Sequence, residues 1–201
     1  MGQNAKISEL PANPAVGDII YRAPATYGSD FFTGGTPSAS SVDLAPAAQA
    51  FDNNAGTYWG TGGAANPYPH WVKYDLGVGV AKIARRLTIT PYSDVSGGCV
   101  GNFTLHGSND NTNWTLLYTG THANSGTIEN YDFANTVAYR YYKITVSSAY
   151  ASNGDATHNY ALIVEAEIME FAAGAKWQKL AIGTSGQTLK VAATLLPAWT
   201  T

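Results

Sequence analysis

Residues 141–147 read Tyr-Tyr-Lys-Ile-Thr-Val-Ser, and this stretch decides the class of fold. Apolar side chains alternate in it with more polar ones, so that Tyr142, Ile144 and Val146 oppose Tyr141, Lys143 and Thr145. The same alternation occurs at residues 87–90, which read Leu-Thr-Ile-Thr. A period of two is typical of a β-strand that buries one face. Both stretches therefore predict strands of a half-buried sheet.

On both sides of these two stretches, strand-sized apolar runs recur between clusters of turn residues. They are residues 71–76, 86–92, 103–108, 114–118, 128–133, 141–147 and 161–171. Residues 109–113, Asn-Asp-Asn-Thr-Asn, predict a turn because Asn and Asp tolerate positive φ and bond their own backbone. Residues 45–51 predict one turn of helix at most. This spacing predicts an all-β sandwich or barrel.

Composition limits the possible partners and the place of synthesis. The chain has 201 residues and a formal net charge of −3, which fits one domain with short appendages and argues against nucleic acid. Cys99 is the only cysteine, so no intrachain disulfide is possible and a reducing site of synthesis is expected. The first residues lack the apolar region of a signal peptide, and no run has the length of a membrane span. We expect synthesis in a bacterial cytoplasm without a signal peptide or membrane insertion.

Several landmarks along the chain carry a family resemblance. They are Ala50-Phe51-Asp52-Asn53-Asn54, Thr57-Tyr58-Trp59, residues 71–77, residues 103–110 with Trp114, Arg140-Tyr141-Tyr142-Lys143-Ile144 and Ala166-Glu167-Ile168. In this order they resemble the discoidin family, which includes the coagulation-factor type C domains and the family 32 carbohydrate-binding modules. The resemblance implies a discoidin-type jelly-roll β-sandwich of the galactose-binding-domain kind, with variable loops at the end opposite the termini.

The two ends of the chain carry a second resemblance. Residues 6–11, 17–22, 177–184 and 196–199 look like segments of bacteriophage tail-fibre and virion-fibre proteins. We therefore divide the chain into a fibre-like assembly segment at 1–22, a linker at 23–40, the sandwich at 41–171, and a second assembly segment at 172–201. Such fibres are usually trimeric, so the resemblance implies a homotrimer that contacts other virion proteins.

A structural calcium ion is implied by the discoidin resemblance. Calcium-binding members use an Asp carboxylate, a Thr hydroxyl and nearby carbonyls from the first loop, together with an Ala carbonyl and a Glu carboxylate from the closing strand. The residues at those places are Gln49, Asp52, Asn54, Thr57, Ala166 and Glu167. Hard oxygen ligands of this kind suit Ca2+. The alternative is that Asp52 only caps its own turn, and Glu165 and Glu170 are expected to be solvated carboxylates on an edge strand.

Sugar binding needs an aromatic platform and polar side chains, and the variable loops offer both. The candidate ligand-binding residues are Tyr58, His70, Tyr92, Asp94, Tyr150, His158 and Tyr160. Trp59 and Trp71 are interpreted as core residues, because the family has packed aromatics at their positions. Galactose-binding members carry an Arg after the Pro of the second loop, where this chain has Pro91-Tyr92. The resemblance therefore does not extend to galactose itself.

No catalytic or zinc-binding pattern stands out. The four histidines are far apart in sequence without ligand spacing, and Cys99 has no cysteine partner. The leading hypothesis is a non-catalytic bacteriophage virion protein, a fibre or capsid decoration, that attaches to glycans on the host surface. The alternatives are a structural virion decoration without a sugar ligand and a carbohydrate-binding module detached from a glycosidase.

Overall fold

The computed structural model describes residues 20–22, 25–62, 67–92, 99–150, 160–173, 177–179, 188–191 and 197–200. The chain separates into two compact units. One unit is Gly28–Phe171, and the other combines Met1–Tyr27 with Ala172–Thr201. Each unit is described by itself.

The described secondary structure is almost entirely β. In chain order the strands are β1 (Ile20–Arg22), β2 (Thr26–Asp30), β3 (Thr36–Ala39), β4 (Trp59–Gly60), β5 (His70–Asp75), β6 (Ala84–Pro91), β7 (Cys99–Val100), β8 (Asn102–Ser108), β9 (Thr115–Thr121), β10 (Glu129–Asp132), β11 (Tyr141–Val146), β12 (Ala149–Tyr150), β13 (Leu162–Ala173), β14 (Trp177–Lys179), β15 (Thr188–Val191) and β16 (Pro197–Thr200). One 3-10 turn, Ala47–Ala50, lies inside the predicted single helical turn. The described residues contain no α-helix.

Two sheets make up the larger unit. The first has five strands in the order β3-β5-β11-β8-β9. The second has the order β10-β6-β13-β7-β12, with β2 and β4 also paired to β13. The strand pairings described in these two sheets are antiparallel except for a short parallel contact between β13 and β7. This arrangement confirms the predicted all-β, jelly-roll-like sandwich.

Strand β11 shows why the alternating stretch decides the fold. Its inward residues Tyr142, Ile144 and Val146 are buried, and the residues between them are half-buried on the outer face. Ile144 pairs with Val72 of β5 on one side and with Leu105 of β8 on the other. Because the side-chain period is two, one register places a whole row of apolar residues in the core.

The core between the sheets is rich in aromatic side chains. Trp59 is 0% exposed, and its indole N–H donates a hydrogen bond to the Ser41 carbonyl at 2.9 Å. Trp59 is therefore a core residue, as predicted. A buried indole with a satisfied N–H combines a large apolar contact with no unpaired donor.

The predicted linker at 23–40 is wrong, because most of it belongs to the sandwich. It contains β2 and β3, and β3 pairs with β5 along the edge of the five-stranded sheet. Phe32 is 1% exposed, and its ring centroid lies 4.9 Å from that of Tyr74. The Gly, Pro and Ser content of this segment favoured a loop, but tertiary pairing overrides weak strand propensity.

Residues 109–113 form the predicted turn between β8 and β9. Asn111 adopts a positive φ of 60°. The Asp110 carboxylate accepts hydrogen bonds from the backbone N–H groups of Thr112 and Asn113 at 2.9 and 2.7 Å. The same side chain accepts from the Asn113 amide, and these bonds hold the pKa of Asp110 well below its usual range.

In the smaller unit the two ends of the chain pair with each other. Strand β1 runs antiparallel to β14, with Ile20 opposite Lys179 and Arg22 opposite Trp177. Strands β15 and β16 form a separate hairpin pair. The two terminal segments are thus joined by a β-ladder between residues that are far apart in sequence. Over the described residues, no helix is long and apolar enough to cross a membrane.

Candidate functional site

The loop that precedes β4 is held in shape by its own polar side chains. The Thr57 hydroxyl lies 2.8 Å from Oδ2 of Asp52 and 2.9 Å from the Asn54 carbonyl oxygen. The Asn54 backbone N–H donates to Oδ1 of Asp52 at 3.0 Å. Asn53 takes a positive φ of 56°, which asparagine tolerates. The Asp52 to Thr57 pair expected from the sequence is therefore present, in a self-capped turn.

Glu165 of β13 is the carboxyl that faces this loop. It is 7% exposed, and neither of its buried oxygens accepts a hydrogen bond from a described residue. Burial raises the pKa of Glu165 to about 7, and the negative charge of Asp52 adds to the rise. The backbone N–H groups of Asn53 and Asn54 lower this pKa, although neither bonds to the carboxyl with normal geometry.

This position corrects two expectations. Glu165 is not a solvated carboxylate on an edge strand, because β13 lies inside its sheet between neighbouring strands. Glu167 is half-buried, and the charge that raises its pKa after burial is Asp30, not Asp52. The ladder places Glu165 opposite Thr90 and Glu167 opposite Thr88, with a register shift between Ile163 and Glu165. The closing-strand carboxylate near Asp52 is thus Glu165.

The remaining predicted metal ligands frame the same loop. Gln49 is half-buried in the 3-10 turn that precedes Asp52, and Ala166 is buried in β13 opposite Ile89. No three His, Cys, Asp or Glu side chains gather as a metal cluster within the described part of the chain. A cation here would be shared by two carboxylates and neutral oxygens. The unpartnered oxygens of Glu165 fit a hard cation of that kind.

Two of the predicted ligand-binding tyrosines lie together. Tyr58 precedes β4 and Tyr92 follows β6, and their ring centroids are 4.8 Å apart with planes inclined at 60°. Both side chains are half-buried. The pair forms an aromatic surface where β4 and β6 approach β13, whose Ile163 is opposite both Trp59 and Pro91. We call Tyr58 and Tyr92 the rim pair.

The other predicted ligand-binding residues are arranged differently. His70 is 2% exposed and packs against Tyr68 with ring centroids 4.9 Å apart, so its assignment as a ligand contact is wrong. Tyr160 is half-buried, and its carbonyl accepts a 2.6 Å hydrogen bond from the Tyr68 hydroxyl. The Tyr150 hydroxyl donates to the His122 carbonyl at 2.9 Å. Asp94 and His158 lie outside the described residues.

The larger unit is thus a jelly-roll-like β-sandwich that carries the rim pair. The model of the F5/8 type C domain matches residues 35–166, and the chain belongs to that family. No curated protein sequence matches the chain.

Similar solved structures are carbohydrate-binding modules. The family 32 module of C. perfringens NanJ in complex with galactose is 24% identical, with a TM-score of 0.61 over 72% of this chain and 100% of that chain. CpGH89CBM32-5 from Clostridium perfringens, in complex with GalNAc-β-1,3-galactose, is 21% identical, with a TM-score of 0.60 over the same shares. Chitosan-binding module 1 of a chitosanase/glucanase from Paenibacillus sp. IK-5 is 23% identical, with a TM-score of 0.56 over 70% of this chain and 98% of that one. At these identities the likeness shows the fold.

Proposed function

We propose that the chain is a non-catalytic carbohydrate-binding protein of a bacteriophage virion that attaches to glycans on the bacterial surface. The observation that carries the sugar-binding part is the rim pair on a sandwich of the F5/8 type C family. The similar modules are described in complex with galactose or a GalNAc-galactose disaccharide, or as chitosan-binding. A saccharide is therefore the ligand class that we assign to the rim.

The rim pair has the chemistry that a pyranose needs. The apolar face of a sugar ring packs against an aromatic ring, and the phenol hydroxyls supply donors and acceptors for its hydroxyl groups. Tyr58 and Tyr92 are inclined to each other at 60° rather than stacked flat, so the two rings form an angled surface instead of a plane. This shape suits a single exposed sugar residue of a surface glycan.

The virion part of the proposal is supported by the flanks. The segments that resemble phage fibres lie on both sides of the sandwich, and β1 pairs with β14. A domain inserted into a loop of a fibre scaffold would leave such a ladder intact. A virion location also agrees with a lone cysteine.

A second candidate is a module that serves a glycan-degrading enzyme. Several similar structures are parts of enzymes, including a module from a family 31 glycoside hydrolase and one joined to an alginate lyase domain. The fibre-like flanks favour the virion instead. The third alternative is a virion decoration protein with no sugar ligand. Adsorption of rim-pair variants to host bacteria separates this alternative from the carbohydrate-binding protein proposed above.

Replacing Tyr92 with alanine is expected to weaken adsorption of the full chain to host bacteria by about tenfold or more. Removing an aromatic contact from the centre of a binding site typically costs more than about 1 kcal/mol. The matched control is Tyr92→Phe, which keeps the ring and should retain most of the binding. Normal adsorption of Tyr92→Ala and Tyr58→Ala, with unchanged thermal melting, would exclude the rim as the sugar site.

Calcium is proposed as a structural ion at the loop before β4, held by Asp52, Thr57 and Glu165. The support is the pair of buried, unpartnered Glu165 oxygens beside a loop that already presents Asp52. The ion would neutralise two carboxylates whose mutual repulsion otherwise opposes folding.

The full chain is expected to be a homotrimer in solution. Apolar residues such as Ile7, Leu10, Trp177, Leu180 and Trp199 lie in short terminal segments, and three copies could bury them in one shared core. Three weak sugar sites would then act together with raised effective concentration. Light scattering at micromolar concentration should give about three times the 21.2 kDa chain mass. A monomeric mass would remove the trimer and weaken the fibre assignment.

A further inference from the structure

A groove on the outer face of the five-stranded sheet has a chemistry different from that of the rim pair. Its volume is about 230 Å³. The groove is lined by Trp71, Lys73, Asn111, Trp114 and Lys143. Two strands and the β8–β9 hairpin supply these residues, so the lining comes from three separate parts of the sequence. We call it the lysine groove.

The two lysines of this groove stand next to each other. Lys73 of β5 is directly opposite Lys143 of β11 in the ladder. Like charges in directly opposed positions destabilise a sheet. Burial lowers the pKa of Lys143, and the charge of Lys73 lowers it further. The fold therefore carries an unfavourable pair of cations at this point.

Neither ammonium group is neutralised by a carboxylate at ion-pair distance within the described residues. Lys143 Nζ lies 4.0 Å from the ring centroid of Trp114, and Lys73 Nζ lies 5.3 Å from that of Trp71. Lys73 Nζ also donates to Oδ1 of Asn111 at 2.7 Å. These contacts are neutral, so they hold the two cations in place without cancelling their charge.

The next strand adds a third basic residue to this face of the sheet. His106 of β8 is opposite Lys143, and its buried Nδ1 has no hydrogen-bond partner among the residues that the structure describes. Burial and the nearby Lys143 charge lower the pKa of His106. Asp75, which is on the same strand and face as Lys73, is bound by Arg140 through two hydrogen bonds of 2.6 and 2.7 Å. Asp75 interacts with Lys73 only at longer range.

From this arrangement we infer that the lysine groove binds an acidic saccharide, with the sugar carboxylate between Lys73 and Lys143 and the ring against Trp71 and Trp114. The carboxylate would relieve the repulsion between the two ammonium groups. The indoles supply the apolar surface that a pyranose needs, which a simple anion would leave unused. A volume of about 230 Å³ is below that of pockets for drug-sized molecules and suits one residue of a uronate chain.

This inference goes beyond the proposed function and does not depend on it. The rim pair belongs to loops around β13, whereas the lysine groove lies on the other sheet. A cationic sugar such as chitosan would be repelled by the two lysines. An acidic peptide would form ion pairs with the two lysines, but it has no pyranose ring to pack against the two indoles.

The test compares two forms of one saccharide by NMR titration of the full chain. Oligogalacturonate is expected to bind and to shift the indole N–H signals of Trp71 and Trp114. Its methyl ester, which has the same rings without the charge, is expected to bind at least about tenfold more weakly. Lys73→Gln combined with Lys143→Gln should weaken binding of the acid by a similar factor. Tyr92→Ala should leave that binding unchanged, which separates this groove from the rim.

Several outcomes would overturn the inference. Equal binding of the acid and its ester would remove the role of the lysines, and no binding of the acid at millimolar concentration would remove the site. Poly-glutamate binding as tightly as oligogalacturonate would show that the groove recognises charge alone. Because Lys73→Gln and Lys143→Gln remove a repulsive pair, the double variant should melt no lower than the wild type. Each single variant provides a second test if the double variant fails to fold.

Discussion

With metal ions removed by excess chelator, the free energy of unfolding of the full chain is expected to fall as pH rises from about 4 to 8. This fall should be about 3 kcal/mol larger in the wild type than in Glu165→Gln, which lacks the titrating carboxyl. The pKa of Glu165 is raised from 4.5 to about 7 in the folded state, mainly by burial. The folded protein therefore holds this proton more tightly than the unfolded chain does. The resulting stability is complete below the unfolded pKa and is lost as pH rises through the folded pKa. Urea denaturation at a series of pH values measures the difference.

Calcium is expected to reverse this loss near neutral pH, because a cation favours the ionised carboxyl. At a calcium concentration about one hundred times the dissociation constant, stabilisation would be about 2.7 kcal/mol. Glu165→Gln and Asp52→Ala should lose this effect, and Glu167→Gln is the matched control that should keep it. An unchanged melting temperature of the wild type in calcium and in chelator would exclude the ion. Loss of the effect in Glu167→Gln alone would restore the assignment made from sequence.

The second large effect is expected at Trp59. Trp59→Ala should lower the free energy of unfolding by about 3–5 kcal/mol, since it removes a fully buried indole and leaves a cavity. The Ser41 carbonyl would also lose its hydrogen bond. The matched control is Trp71→Ala on the outer face, which should cost about 1 kcal/mol or less. Equal losses in the two variants, measured by urea denaturation, would contradict the placement of both tryptophans.

Much of the sandwich could be predicted from sequence because strict alternation marks its central strands. Residues 87–90 and 141–146 lie in β6 and β11, where one face is buried by the opposite sheet. The segment 23–40 could not be recognised in the same way. Its strands are short, lie beside β13 and β5, and are rich in residues that propensity assigns to loops. Their strand character comes from tertiary pairing, which no local pattern reports.

The candidate sites were predictable in part, and the misses have different causes. Alternation places Glu165 and Glu167 on one face of β13, so the local sequence does not tell which of them lies near Asp52; the structure shows that it is Glu165. His70 and Trp71 were misassigned although a signal existed. Strand β5 buries Val72 and Tyr74, so its alternation places His70 inside and Trp71 outside. For Trp71, resemblance to a packed family position outweighed that alternation, whereas His70 was placed in a variable loop.

The most direct test of the sugar-binding proposal is a bacterial-glycan array probed with the full chain, in calcium, beside Tyr92→Ala and Tyr92→Phe. We predict that the wild type and Tyr92→Phe bind a common set of surface glycans, and that Tyr92→Ala loses them while keeping its melting temperature. Binding by all three proteins to the same glycans would move the sugar site away from the rim pair. No glycan binding by the folded wild type would contradict the proposal that this chain is a carbohydrate-binding protein.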